Sequence, residues 1–178
     1  MKKLLKKTIL ALMIGAILVS MTACGDKDSS SGDSSVVSEV NVTPITAEDF
    51  KNLLLPKVAF EGDMTDCTKL ADYPMDAHGI KGELYSSYVY LEVSDTTNSY
   101  ETIIIFNATS EDNGKTIKEK LDGYINGLKA QFSNYNATIV EMVNKSVVKA
   151  EGNKVYLIIS PNVKDIEAAV KANLGSFN

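Results

Sequence analysis

The sequence predicts an α+β domain of two-layer build, in which a mainly antiparallel sheet of four to five strands is packed by a long helix and a C-terminal helix. Three observations carry this expectation. Two pairs of apolar segments are joined by turn-forming residues, Asp95-Thr96-Thr97-Asn98-Ser99 in one pair and Gly152-Asn153 in the other, and both read as β-hairpins. Between them, Ile117, Leu121, Ile125, Leu128 and Phe132 recur at helical spacing as one continuous apolar stripe. A last apolar face, Ile166, Ala169, Val170 and Leu174, follows Pro161.

The chain opens on Lys2, Lys3, Lys6 and Lys7, then runs uncharged and mostly apolar over residues 8–23. That stretch is shorter than the roughly 20 residues that span a bilayer core, and it fits the apolar part of a secretion signal. Its end, Val19-Ser20-Met21-Thr22-Ala23-Cys24, resembles a lipobox, with Met21 in place of the usual leucine. The resemblance implies cleavage between Ala23 and Cys24 and acyl chains, palmitate among them, on Cys24. Two chains suffice for stable anchoring, since each buried methylene contributes about 0.8 kcal/mol. Residues 1–23 are therefore expected to be a lipoprotein signal peptide. Residues 24–45 are expected to be the lipidated cysteine and a disordered, Ser- and Asp-rich tether. The expected address is the extracytoplasmic face of a cell membrane. Residues 46–178 remain for one domain with one hydrophobic core.

Thr46 is placed to cap a first helix, with Glu48 and Asp49 in its first turn and Phe50, Leu53 and Leu54 on one face. Pro56 ends it. Residues 57–84 show no clear period, although Val58 and Phe60 suggest a short extended piece. Then Val89, Leu91 and Val93 alternate with Tyr88, Tyr90 and Glu92, which gives a strand with two distinct faces. The run Ile103-Ile104-Ile105-Phe106 suits a central strand covered on both faces. Ser110 is placed to cap the long helix. Gly123 and Gly127 each cost about 1 kcal/mol in a helix and suggest close packing on the sheet. Residues 138–143 are ambiguous, since Ile139, Met142 and Val143 also fit one helical turn. Asn162 is placed to cap the last helix.

The formal net charge is −5, and loss of the leader's lysines makes the remainder more acidic. With no arginine in the chain, the electrostatic footprint of a nucleic-acid binder is missing. Absence of Trp weakens sugar stacking, while eight tyrosines remain. With Cys24 assigned to lipid, Cys67 has no intramolecular disulfide partner and no thiol cluster can hold a metal; no cofactor is expected. His78 is the single histidine. A Cys67–His78 nucleophile–base pair competes with the simpler reading of Cys67 as a part-buried small residue. Glu83, Glu92 and Glu101 lie near strands; glycoside hydrolysis would need two such carboxylates about 5–9 Å apart in a cleft. Tyr85, Tyr88 and Tyr90 form a candidate binding surface if their sheet face is open.

Residues 100–108, 117–135 and 147–159 thus give an apolar strand, a long Lys/Glu helix ending near a tyrosine, and a hairpin with a Gly-Asn turn. In this order, behind a lipobox and a serine tether, the chain resembles the Firmicutes lipoproteins grouped as domain-of-unknown-function family 4358. The resemblance implies an address and a fold, and brings no activity, ligand or catalytic residue. The function expected is a membrane-anchored binding or protein-interaction module of the cell envelope, its partner an envelope protein, peptide or glycan. The alternatives are an envelope hydrolase using paired carboxylates and a structural or assembly subunit of an envelope complex.

Overall fold

Thr46 starts the first helix. Its hydroxyl accepts the Asp49 backbone N–H (3.1 Å), and the Asp49 carboxylate accepts the Thr46 N–H (3.3 Å). This capping box opens α1, Ala47–Leu54. The computed structural model describes residues 46–70, 72–97 and 99–177; the leader, Cys24 and the tether lie outside the described residues. After α1 come β1 (Met64–Asp66), α2 (Asp72–Ala77), β2 (Tyr85–Val93), β3 (Thr102–Ala108), α3 (Glu111–Phe132), α4 (Ala137–Asn144), β4 (Val147–Glu151), β5 (Lys154–Ile159) and α5 (Val163–Leu174).

The strands form one antiparallel sheet in the order β1-β2-β3-β5-β4. Strand alternation splits the apolar residues into two cores. Tyr90, Ile104, Phe106, Val155 and Leu157 meet the apolar faces of α3 and α4. Val89, Leu91, Ile103, Ile105, Tyr156 and Ile158 meet Phe50 and Leu54 of α1 and Ile166, Val170 and Leu174 of α5. The fold class is the one expected, but the long helix and the terminal helix take opposite faces, so there are three layers rather than two. The cause lies in β3. All seven of its residues are buried, and a strand apolar on both sides needs cover on both.

Other departures are local. The first strand is Met64–Asp66, while Val58 and Phe60 pack part-buried against the α1/α5 core. Residues 138–143 are helical, within α4, because Asn136 caps that helix by accepting the Ile139 N–H (3.1 Å). Asn162 stands at the start of α5 but makes no cap; its amide donates to the Ala59 carbonyl (3.2 Å). Gly123 and Gly127 do not pack on the sheet: a Cβ added at either would meet nothing within 4 Å. The close approach is at Gly114, where an added Cβ would lie 3.2 Å from the Gly152 carbonyl.

Candidate functional site

The long helix is capped by Ser110, whose hydroxyl accepts the Asn113 N–H (3.1 Å). It turns Ile117, Leu121, Ile125 and Leu128 to the sheet and leaves Gly123 and Gly127 exposed. The chain after α2 folds back beside this bare stretch. Gly79 makes the turn with φ of 71°, and the buried Ile80 donates its N–H to the Met75 carbonyl (2.9 Å). Only glycine adopts that φ without strain. The turn sets the His78 ring on Tyr124, with centroids 4.4 Å apart. Between these elements lies a groove of about 480 Å³, lined by His78, Glu119, Lys120, Gly123, Tyr124, Gly127, Leu128 and Gln131.

The floor is well supported. The Tyr124 hydroxyl lies 3.0 Å from that of Tyr100, and the Tyr100 ring meets Phe132 edge-on at 5.3 Å. Burial pushes the Tyr124 phenol far up, so it stays protonated. Burial also lowers the His78 imidazole, which is therefore neutral near pH 7 with one donor and one acceptor nitrogen. Lys120 and Glu119 supply both signs of charge, and the two glycines leave helix backbone uncovered. Tyr135, 86 % exposed, stands just beyond the C-terminal end of α3. An aromatic floor, a neutral imidazole and a mixed-charge rim are the makings of a contact surface for a chain segment. Among the described residues that line the groove, Glu119 is the one carboxylate and none is Ser, Thr or Cys.

The sequence-predicted site residues fall elsewhere. Tyr90 is buried in the core beneath α3, and its hydroxyl donates to the Glu92 carboxylate. Tyr88 and Tyr85 are half-buried, both rings against Phe106, and the Tyr88 hydroxyl donates to the Thr68 carbonyl. Tyr90 is therefore no part of an open tyrosine face, while Tyr85 and Tyr88 keep part of their surface exposed. Cys67 donates its backbone N–H to the Tyr90 carbonyl (2.8 Å), whereas His78 is engaged with Tyr124. No hydrogen bond joins Cys67 to His78 among the described residues. Burial, then the charges of Glu92 and Asp66, push the Cys67 thiol up, the opposite of an activated nucleophile.

The three acids do not form a pair. Glu83 is exposed, ahead of β2. Glu92 holds Tyr90 on the α3 side of the sheet. Glu101 is wholly buried: one carboxylate oxygen accepts the N–H groups of Glu61 (2.7 Å) and Gly62 (3.3 Å), and the other accepts the Ser160 hydroxyl (2.7 Å). It is a tie between the loop ahead of β1, the start of β3 and the end of β5. Among the described residues no cluster of three or more His, Cys, Asp or Glu could hold a metal, and no helix is long and apolar enough to cross a membrane.

Sequence reasoning missed the groove because His78 and Tyr124 meet only through the fold. Gly123 and Gly127 carried a usable signal, since each stands opposite the apolar stripe of α3. Among curated proteins and solved structures no match was found. The family model described as Domain of unknown function (DUF4358) matches residues 60–160, and the chain belongs to that family.

Proposed function

We propose that the chain is a lipid-anchored, extracytoplasmic protein-interaction module that receives a segment of its partner in the α3 groove. The carrying observation is the pair of glycines on the outer side of α3, whose space no atom of the described chain fills. Two helix-interior glycines are a standing cost, and a groove that must stay open gives a reason to keep them. The anchor rests on Lys2 to Lys7, the apolar residues 8–23 and Cys24 after Thr22-Ala23. The domain is then held near a membrane with its groove available to a second protein.

Two measurements test this reading. Metabolic labelling with an alkyne fatty acid should mark the full chain and not Cys24→Ala; equal labelling contradicts the anchor. Proteins retained by the wild-type chain from cell membranes should be lost with Gly123→Leu/Gly127→Leu, which fills the groove from open positions. Retention of the same proteins by the filled variant contradicts the groove.

A further inference from the structure

The strand β4 ends the sheet, and among the described residues no strand pairs with its outer side. Its register with β5 pairs Glu151 with Lys154 across the two-residue turn Gly152-Asn153. In a two-residue hairpin that closing pair is hydrogen-bonded, and hydrogen-bonded and open positions then alternate. Val147, Lys149 and Glu151 therefore direct their backbone groups to β5. Val148 and Ala150 direct theirs outward, away from the sheet.

Edges of this kind are commonly blunted by charge or proline. The β4 charges are instead engaged on the α5 side: Lys149 with Glu167 at 2.5 Å, and Glu151 with Lys171 at 3.3 Å. We infer that β4 is the surface through which a second copy of this chain adds antiparallel, about a two-fold axis at Ala150. Alternation and charge choose the register. A two-fold pairing that uses the outward groups can be centred on Val148, Lys149 or Ala150. Centring on Lys149 sets that lysine against itself. Centring on Val148 sets it against the partner's Val147. Centring on Ala150 sets Lys149 against the partner's Glu151, and the symmetry repeats the match. Glu167, Lys149, the partner's Glu151 and the partner's Lys171 then alternate in sign along one side of the junction. Ala150 and the partner's Ala150 exchange backbone hydrogen bonds at the centre. The two sheets become one continuous ten-stranded sheet. The contact lies on the sheet edge, apart from the α3 groove, and stands or falls independently of it.

The test is sedimentation of the purified full chain in detergent, with micelles in large excess over protein. Wild type should show a concentration-dependent monomer–dimer equilibrium. Lys149→Glu and Glu151→Lys should each weaken the dimer about tenfold or more, because each sets like charges opposite one another. An equimolar mixture of the two variants should recover a heterodimer, which a merely misfolded variant could not do. Ala150→Pro should abolish the dimer while keeping the β4–β5 hairpin, since that N–H points outward. A wild type still monomeric at about 0.1 mM, single reversals without effect, or a mixture that fails to recover the dimer would each overturn the inference.

Discussion

Replacing Gly123 and Gly127 by alanine is expected to stabilise the domain. Both sit inside α3, and neither added Cβ meets an atom within 4 Å. A helix-interior glycine costs roughly 0.5–1 kcal/mol against alanine, so the double variant should gain about 1–2 kcal/mol. With an unfolding entropy near 2.1 cal/mol/K per residue over roughly 130 ordered residues, that gain raises Tm by about 4–7 °C. Gly114→Ala is the internal contrast. Its Cβ would lie 3.2 Å from the Gly152 carbonyl and 3.4 Å from Val155 Cγ2, so the propensity gain is opposed by a compressed helix–sheet contact and Tm should fall. Thermal unfolding followed by far-UV circular dichroism reads both variants against wild type. A double variant that melts at or below wild type would refute the view that the outer side of α3 is empty in the free protein. The same substitutions should weaken partner binding, a stability–function opposition common at binding sites.

Three further outcomes follow from the same geometry. Glu101→Ala leaves the buried Ser160 hydroxyl and the part-buried N–H groups of Glu61 and Gly62 without their acceptor and should cost about 2–5 kcal/mol in urea unfolding; a loss below about 1 kcal/mol contradicts the tie. The hydrogen bond from Lys149, helped by Tyr156 and opposed by burial, holds the Glu167 carboxyl below its ordinary 4.5. Because its folded pKa is depressed, the stability it contributes is present above pH 4.5 and fades as pH falls through the lower folded value. The stability gap between wild type and Lys149→Met should therefore shrink on the acid side, and a constant gap from pH 7 downward would count against the pair. The raised pKa of the half-buried Cys67 thiol predicts alkylation by iodoacetamide at neutral pH several-fold slower than that of a free thiol; a matching rate would reinstate it as a reactive group.

Local pattern carried most of the fold. Val89 to Val93 alternate, Gly152-Asn153 closes its hairpin, and the stripe from Ile117 to Leu128 faces the sheet, because each of these depends on neighbours in sequence. Met64–Asp66 is too short to show a period and is a strand only because β2 lies beside it. The two-layer expectation failed for a reason already present in Ile103-Ile104-Ile105-Phe106, where unbroken apolarity asks for helices on both faces. Tyr90 failed as a surface residue for the same reason: alternation assigns a residue to a face and does not say whether that face is covered. The groove was half legible. Gly123 and Gly127 each follow a stripe residue by two positions, roughly 200° around the helix, which points them away from the sheet. His78 against Tyr124 was not legible, since only the turn at Gly79 brings them together.

The most direct test of the interaction module is site-resolved photo-crosslinking of the full chain in cell membranes, with a photoreactive residue placed in turn at Gly123, Gly127 and Gln131 and, as a comparison on the same helix, at Lys115 and Asp112. Docking in the groove predicts the same discrete adduct from the first three positions and little from the other two. Equal adducts from all five positions, or none from the groove while Lys115 and Asp112 react, would contradict it.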